Sequence, residues 1–293
     1  MNVVFFTLEG LRYDRVSSFN KELNYMTYVV NSLVKQGICF HNFRLPNPIC
    51  KENIKTLQKE IVSKVDIDIY YSDEVVDEAI EHFEEQSPDE LFLFWKHFEM
   101  NQPERPELSL ILIQEQLRKM IEWLDGKKYL ENTALILMGT SGFYANEKHP
   151  MKIFKDVHTS LYDEHLHVPL VVFYPDCRPS DVLNSVSMDM IPDVIVDLLY
   201  GKETTGGMTQ LCKGKDKIRK DIYSKYKSAY GLRGPMYQYY CQLGKDKKVL
   251  HQELYDLNND VEMRKDLIKK QDELSSQVLD LINVYRGRIL DMA

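Results

Sequence analysis

One acidic side chain follows the first apolar run of the chain. Residues 2–8 read Asn-Val-Val-Phe-Phe-Thr-Leu, and Glu9 and Gly10 come directly after them. The run predicts a buried strand that ends in a turn, because β-branched and aromatic residues favour strands and glycine favours turns. Open α/β sheets place their chemistry at the carboxyl ends of their strands. Glu9 is therefore a candidate functional carboxylate, with a solvated turn residue as the alternative.

Cys50 stands in the run Pro48-Ile-Cys-Lys-Glu-Asn. A thiolate could attack a phosphoryl or sulfuryl centre if its pKa were lowered, and Lys51 or Lys55 could lower it. The alternative is a small buried residue in the core or at a helix start. The chain has five cysteines without a C-x-x-C pair, which predicts neither a disulfide framework nor a zinc knuckle. This pattern favours a reducing compartment.

Histidines are concentrated in one stretch of the chain, at positions 149, 158, 165 and 167. His158 lies just ahead of Ser160-Leu-Tyr. His165 and His167 would share one side of an extended strand. A lone histidine is more often a hydrogen-bonded structural residue, and that alternative stands for His158.

The elements that must position these residues alternate along the first two thirds of the chain. Strand-like apolar runs cover 2–8, 90–98, 133–139 and 168–174, and helical patterns cover 22–36, 52–64, 73–86 and 108–126. This rhythm is typical of βαβ units. It predicts a three-layer α/β/α fold, with helices on both faces of a mainly parallel sheet.

The last third of the chain has a different pattern. A helix is expected over 190–200, and the glycine-rich segment 201–214 is the best linker candidate. Beyond it, 219–225, 236–243 and 249–256 alternate like short strands, and 259–290 reads as one or two amphipathic helices. We therefore predict a core domain over 1–205 and a small C-terminal α+β subdomain over 206–293.

Several blocks of the chain resemble, in the right order, the sulfatase-like branch of the alkaline phosphatase superfamily. Residues 2–10 are similar to a family strand that ends in Thr-Leu-Asp, and Ser160-Leu-Tyr-Asp-Glu with Val168-Pro-Leu is similar to another family block. The other similar blocks are 32–43, 91–98, 129–138, 191–199 and 253–260. The resemblance implies ester hydrolysis at a hard divalent cation that is held by carboxylates and a histidine, beside a nucleophile bound to the same metal.

On this resemblance, the chain departs from the family at the chemical positions. Glu9 stands at the first metal-ligand position, Gly10 where sulfatases often carry a second Asp, and Cys50 at the nucleophile position, which makes Cys50 the candidate nucleophile. Sulfatases convert a cysteine there to formylglycine, but the Cys-x-Pro-Ser-Arg context is absent, so the modification is not expected. Thr140 and Ser141 stand where the family has Asp-His, and neutral hydroxyls are poor ligands for a divalent cation.

The substrate-contacting positions differ as well. Met100-Asn-Gln stands where the family has Asp-Pro-His, so both the Asp and the His are missing. Gln102 and Lys51 are the candidate substrate contacts. His158 falls within a residue of a family position that carries a substrate-binding or metal-binding His or Lys.

These substitutions lead to two functional hypotheses. The leading one is a sulfatase-like protein with a degenerate metal site that has a non-catalytic binding or regulatory role. The alternative is an active hydrolase or transferase that cleaves sulfate or phosphate esters through Cys50. No cofactor is expected in the first case, and Mg²⁺, Mn²⁺, Ca²⁺ or Zn²⁺ in the second. A small anionic ligand or a sulfate or phosphate ester is the expected partner, and a protein partner or a second copy of the chain is also open.

Composition excludes several other classes of function. The chain is 44% hydrophobic and 28% charged, which is typical of a globular protein, and its net charge is -8. That charge argues against a nucleic-acid partner, which would require clustered Lys and Arg. The apolar run near the N-terminus is interrupted by Glu9 and Arg12, so neither a signal peptide nor a membrane span is expected. A cytoplasmic protein is the resulting prediction.

Overall fold

A computed structural model describes residues 1–20, 28–85, 91–100, 106–143, 160–201, 221–269 and 276–293. The strands are β1 (Asn2–Leu8), β2 (Ile38–Arg44), β3 (Ile69–Ser72), β4 (Leu93–Phe98), β5 (Thr133–Gly139), β6 (Leu170–Phe173), β7 (Ser180–Ser187), β8 (Ile222–Tyr226), β9 (Ala229–Arg233), β10 (Tyr237–Leu243) and β11 (Val249–Asp256). The helices are α1 (Tyr28–Gln36), α2 (Cys50–Val62), α3 (Val76–Glu85), α4 (Pro106–Gly126), α5 (Asp163–Leu166), α6 (Ile191–Tyr200) and α7 (Ser276–Met292).

Seven strands form a mixed central sheet in the order β3-β4-β1-β5-β6-β2-β7. Every neighbouring pair is parallel except the two that involve β6, which runs antiparallel to both β5 and β2. β1 lies between β4 and β5, so the residues that follow these three strands meet at one edge of the sheet. The strand register pairs Thr7 with His97 on one side and with Met138 on the other.

Helices cover both faces of this sheet and bury two apolar clusters. One face packs Val3, Phe5 and Trp95 against α2 and α6. The other face packs Val4, Phe6 and the opposite side of β4 against α1, α3 and α4. Alternation along each strand sends successive side chains to opposite faces, and burial on both faces explains why β1 and β5 are almost wholly apolar. The predicted three-layer architecture is confirmed.

The last four strands form a separate antiparallel sheet in the order β11-β10-β9-β8. α7 packs on one of its faces through Ile282, Tyr285 and Ile289. The other face reaches the central domain, where Tyr240 and Tyr255 join the cluster around α6. The predicted boundary at residue 205 and most of the predicted linker fall within 202–220, outside the described residues, and the boundary stays a prediction.

Buried polar contacts join the two sheets, and we call this set of residues the seam: Arg44, Tyr162, Asp163, Arg233, Glu253 and Tyr255. The Tyr162 hydroxyl donates to Glu253 Oε2 (2.7 Å), and so does the Tyr255 hydroxyl (2.9 Å). Arg44 donates two hydrogen bonds of 2.9 Å to the Asp163 carboxylate, and Arg233 approaches the same carboxylate at 3.4 Å. Tyr162 and Glu253 belong to two of the blocks that carry the family resemblance, so these distant blocks meet in the fold.

The expected elements are found with a few corrections. β3, β7 and β9 were not expected, because they are short or, in the case of β7, rich in exposed polar residues. The second helix begins at Cys50 rather than at residue 52. The strand expected over 168–174 does not begin until Leu170, and His165 lies in α5 just before it, so the prediction that His165 and His167 share one side of a strand is wrong. Among the described helices, none is long and apolar enough to cross a membrane.

Candidate functional site

Glu9 lies at the carboxyl edge of the central sheet, as its sequence position predicts. Its backbone N–H donates to the Phe98 carbonyl (2.9 Å), and the Thr140 N–H donates to the Leu8 carbonyl (2.9 Å). These two bonds tie the ends of β1, β4 and β5 together. The Glu9 carboxylate is half-buried and accepts a hydrogen bond from the Met100 N–H (3.1 Å). One of its oxygens is therefore used within the fold.

Gly10 occupies a space that another residue could not fill without strain. Its φ is +70°, in the left-handed region that disfavours residues with a Cβ. A Cβ at this position would lie 1.6 Å from Met100 Cε. A second acid at this place would thus have to adopt the left-handed backbone conformation and displace the flexible end of the Met100 side chain.

Cys50 lies at the start of α2 and faces the ends of β4 and β5. Its Sγ is 3.2 Å from Thr140 Oγ1 and 3.7 Å from His97 Nε2. Asn53, one turn later, donates to the Thr140 carbonyl (2.9 Å) and to the Asn47 carbonyl (2.7 Å). These contacts hold the start of the helix against the sheet edge and fix the position of the thiol.

His97 belongs to the site although sequence reasoning assigned its segment only to a core strand. It is 4% exposed, and its Nδ1 lies 3.1 Å from the Thr7 carbonyl. The Thr7 hydroxyl lies 3.0 Å from the same nitrogen and can accept or donate, but the carbonyl oxygen only accepts, so we assign the proton to Nδ1, and Nε2 of the neutral ring can then accept from the Cys50 thiol. Alternation along β4 sends Trp95 and His97 to the same face, which was the available signal. The register that sets His97 beside Thr7 could not be read from the sequence.

The local environment favours the neutral forms of both side chains. Burial raises the pKa of Cys50 to about 12, and the Glu9 and Glu99 carboxylates add to the rise, while a hydrogen bond from Thr140 opposes it. Burial lowers the pKa of His97 to about 4. The expected lowering of the thiol pKa by Lys51 or Lys55 is wrong, because both side chains are exposed and Lys55 pairs with Glu52 instead. The pair is therefore a thiol beside a neutral imidazole at neutral pH.

Thr140 and Ser141 lie at the end of β5, beside Glu9 and Cys50. Thr140 is fully buried, and its hydroxyl is within hydrogen-bond distance of the Cys50 thiol. Ser141 is 6% exposed, and its Oγ accepts from the Gly10 N–H (3.3 Å). Both hydroxyls are thus engaged inside the protein. Their oxygens are neutral, and neutral hydroxyls bind divalent cations poorly.

The family resemblance implies a divalent cation at this edge of the sheet. Mg²⁺ and Ca²⁺ require several oxygen ligands, usually carboxylates, and Zn²⁺ requires about four ligands from Cys, His or carboxylates. Among the described residues, this edge offers the Glu9 carboxylate, the neutral imidazole of His97 and a thiol whose raised pKa keeps it protonated, and Glu99 also acts electrostatically on that thiol. Within the described ranges, no three His, Cys, Asp or Glu side chains converge closely enough to hold a metal ion. These residues do not fit a resident divalent cation.

Two of the predicted site residues, His158 and Gln102, lie outside the described residues, as does His149. Lys51 is exposed on the first turn of α2, next to Cys50 in the chain. The structure thus brings together Glu9, Cys50, Thr140 and Ser141 and adds His97 and Asn53. The functional roles assigned to all of these residues stay predictions.

Comparison with known proteins identifies the fold. The chain is similar to a 2-O GAG sulfatase, with a TM-score of 0.78 and 12% identity over 99% of this chain and 91% of that chain. It is also similar to a structure described as a complex with its substrate D-glucosamine-2-N,6-O-disulfate, with a TM-score of 0.71 and 11% identity over 98% of both chains. A protein in the alkaline phosphatase superfamily from Vibrio parahaemolyticus matches with a TM-score of 0.65 and 13% identity, over 95% of this chain and 83% of that chain.

Sequence comparisons add no closer relative. No protein-family model matches the chain, and no curated protein matches its sequence significantly. At 11–13% identity, the structural matches establish the fold and leave the activity open. The resemblance to the sulfatase-like branch of the alkaline phosphatase superfamily is confirmed at the level of the fold.

Proposed function

We propose that this protein keeps a sulfatase-like fold but does not hydrolyse esters, and that it has a binding or regulatory role. The observation that carries the proposal is that Gly10, Thr140 and Ser141, the residues beside Glu9, supply no charged ligand. Met100 Cε fills the position that a Cβ at residue 10 would need, and the backbone there has a φ of +70°. An acid at residue 10 would therefore have to shift the flexible end of Met100 and adopt a left-handed backbone conformation, which Asp tolerates better than most residues.

The hydrogen bonds of the other site residues support the same proposal. Thr140 and Ser141 bond to Cys50 and Gly10 rather than projecting free donors into a cleft. Catalysis of ester hydrolysis would need a charged nucleophile or an ion that stabilises developing negative charge. Cys50, with its pKa raised to about 12, is an unactivated thiol. A non-catalytic site accounts for both features.

For a ligand, we propose a small anion, such as a sulfate or phosphate ester, held near the first turn of α2. The related structure with a bound disulfated glucosamine supports this chemical class. Glu9 and Glu99 act electrostatically on Cys50, so the interior of the site repels anions. Lys51 follows Cys50 directly in the chain and is exposed on the first turn of α2. Helix N-termini also attract anions. The ester group would therefore approach from the Lys51 side.

The setting and partners are also part of this proposal. The described cysteines Cys39, Cys50, Cys177 and Cys241 are free thiols, which agrees with a reducing, cytoplasmic compartment. A regulatory role would require a protein partner or a second copy of the chain. Size-exclusion chromatography with light scattering distinguishes a monomer from a homo-oligomer directly.

Activity measurements test the proposal. We would incubate the purified protein with a generic aryl sulfate and with an aryl phosphate diester, with and without Mn²⁺, and determine its metal content. The expected result is turnover no greater than that of the Cys50→Ala variant under every condition. Turnover that depends on Mn²⁺ and is lost in Cys50→Ala would overturn the proposal.

Ligand binding is tested separately by thermal unfolding. Inorganic sulfate and the aryl sulfate should raise the midpoint of the wild-type protein and raise that of Lys51→Ala less. Lys59→Ala, on an exposed turn later in the same helix, is the matched control and should behave as wild type. Equal shifts of the unfolding midpoint in all three proteins would contradict the proposal that Lys51 contacts the anion.

A second candidate function is kept because of one observation. Cys50 Sγ lies 3.7 Å from His97 Nε2, an arrangement in which the imidazole could accept the thiol proton during attack on an ester. This candidate is an active hydrolase or transferase for sulfate or phosphate esters. It predicts that His97→Gln abolishes turnover together with Cys50→Ala, whereas the leading proposal predicts no turnover to abolish.

A further inference from the structure

A buried lysine lies on the opposite face of the sheet from Cys50, beside a small cavity. Lys96 is 1% exposed and lies between Phe94 and Phe98, which face α3 and α4, whereas the neighbouring His97 faces Cys50. The cavity has a volume of about 80 Å³. The side chains that define its chemistry are Asp73, Glu74, Lys96, Glu99, Ser109 and Leu112.

The Lys96 amine is held by carbonyl oxygens and an aromatic ring. Nζ donates to the His97 carbonyl (2.6 Å) and to the Ser72 carbonyl (3.5 Å), and it lies 4.9 Å from the centre of the Phe98 ring. No carboxylate in the described part of the chain forms an ion pair with it. Burial of an ammonium group without an ion-pair partner is costly. That cost lowers the pKa of the amine and raises its neutral fraction.

We propose that Lys96 is a covalent binding site for a small neutral aldehyde, which it holds as an imine inside this cavity. The neutral amine attacks the carbonyl carbon, a C–N bond forms, and a proton moves from nitrogen to oxygen to give a carbinolamine. The hydroxyl group then takes up a second proton and leaves as water, and the C=N bond remains. The balance is one amine and one aldehyde converted to one imine and one water, without an oxidant or a reductant.

The acidity of Lys96 agrees with this geometry. Burial lowers its pKa to about 8, although the carboxylates of Asp73, Glu74 and Glu99 act in the opposite direction. About a tenth of such amines are neutral at pH 7, against roughly 0.04% for a lysine with an ordinary pKa near 10.4. Lys96 is thus a nucleophile at a pH where exposed lysines are almost fully protonated.

The lining of the cavity selects the class of aldehyde. Three carboxylates surround the amine, so a carbonyl compound that carries its own carboxylate would be repelled. The same carboxylates stabilise the positive charge of a protonated imine. Val75 and Leu112, which are 55% and 50% exposed, give the mouth an apolar rim.

Reductive trapping on the intact full-length protein tests the proposal. The protein is incubated at pH 7 with acetaldehyde and cyanoborohydride, and ethylation of each lysine is quantified by peptide mass spectrometry. Lys96 should react at least about tenfold faster than Lys55, whose side chain is 59% exposed. In urea the two lysines should react equally. A native Lys96 rate no greater than that of Lys55 would overturn the proposal.

Variants and a second probe separate the cavity from a merely reactive lysine. Leu112→Trp, at the mouth of the cavity, should slow labelling of Lys96 at least about fivefold, whereas Leu108→Trp, an exposed position one turn earlier on α4 and outside the lining, should not. Glyoxylate, an anionic aldehyde, should label Lys96 at least about tenfold more slowly than acetaldehyde. A Lys96 labelling rate that is unchanged by Leu112→Trp would contradict the proposed site. Equal labelling rates with both aldehydes would contradict the proposed ligand class.

The pH profile provides an independent check. The titratable groups that act on the amine are the carboxylates of Asp73, Glu74 and Glu99, whereas the imidazole of His97, whose pKa is lowered by burial to about 4, lies on the other face of the sheet. The labelling rate should rise about tenfold from pH 6 to pH 7 and level off above about pH 9, because the amine loses its proton near pH 8. A rate that continues to rise through pH 10 would show an ordinary, exposed amine and contradict the proposal.

Discussion

The seam and the carboxyl edge both contain residues of the blocks that resemble the sulfatase-like family, but they differ in chemistry. At the seam, buried charges and hydroxyls find partners of complementary character: Asp163 pairs with Arg44 and Arg233, and Glu253 accepts from two tyrosines. At the edge, neutral hydroxyls and a protonated thiol bond to each other and to the backbone. The seam joins the two sheets through paired charges, whereas the described hydrogen bonds at the edge are made mainly by neutral groups.

The two regions differ in how nearby charges act on a buried titratable group. Burial alone would raise the pKa of Asp163, but the Arg233 and Arg44 guanidiniums outweigh it and hold that pKa well below its usual range. At Cys50, burial raises the pKa, and the nearest charges, Glu9 and Glu99, are of the wrong sign to oppose it. The effect of burial on the pKa is thus outweighed by guanidiniums at the seam and increased by carboxylates at the edge.

The strongest test of the comparison removes the central charge of the seam. Asp163→Ala should lower the free energy of unfolding by about 3–5 kcal/mol, because two guanidiniums remain buried without a carboxylate. The control is Asp181→Ala, whose side chain is 69% exposed and pairs with His41, and whose cost should stay below about 1 kcal/mol. Urea unfolding measures both. Equal losses would show that the seam is not held by charge.

The same carboxylate predicts a pH dependence with a definite sign. A carboxyl group whose pKa is lowered by folding stabilises the protein fully above its unfolded pKa of about 4. That contribution is lost as the pH falls further. The wild-type protein should therefore lose stability below about pH 4 more steeply than Asp163→Ala. Parallel curves would contradict the ion-pair account.

Much of the fold could be predicted from the sequence, and the exceptions have physical causes. β1, β5 and α4 are buried along a whole face or more, so their apolar patterns are unmistakable. β7 carries mostly exposed polar residues at the edge of the sheet, and β3 has only four residues, so neither leaves a clear period. Residue propensities do not predict a strand whose extended conformation depends mainly on pairing with an adjacent strand.

The site was predicted in part. Glu9 follows from its place at the end of a predictable strand, whereas Cys50, Thr140 and Ser141 were assigned from the family resemblance. His97 and Met100 were missed as site residues, because their roles come from contacts with Thr7, Cys50 and Gly10, which are at least 47 positions away in the chain. Such contacts depend on strand register and packing, which a single sequence does not specify.

The reactivity of Cys50 sharpens the comparison at the edge. Its pKa of about 12 leaves about three-thousandfold less thiolate at pH 7 than an ordinary cysteine near 8.5 has. Alkylation by iodoacetamide should therefore be at least about 100-fold slower in the native protein than for the same cysteine in urea. The native rate should rise about tenfold per unit between pH 7 and pH 10. A plateau near neutral pH would instead reveal a thiolate and favour the hydrolase candidate.

The space around Gly10 gives a test with an internal rescue. Gly10→Ala should cost about 1–3 kcal/mol, because it combines a left-handed backbone with a clash against Met100. Adding Met100→Ala should recover the part that is due to the clash. The matched control is Gly126→Ala at the end of α4, where nothing lies within 4 Å and the change should be neutral or slightly stabilising. If Gly10→Ala were also neutral, the position would be open to a second acid.

The smallest expected differences compare single hydroxyls in the two regions. Tyr162→Phe removes a 2.7 Å hydrogen bond to a carboxylate that is 1% exposed, and should cost about 1.5 kcal/mol because bonds to charged groups are the stronger ones. Ser141→Ala removes only a 3.3 Å bond from a backbone N–H and should cost about 0.5 kcal/mol. Combining Tyr162→Phe with Tyr255→Phe should cost more than the sum, because the second change leaves Glu253 without either hydroxyl. A Ser141→Ala loss as large as that of Tyr162→Phe would mean that the edge, like the seam, contributes to the stability of the fold.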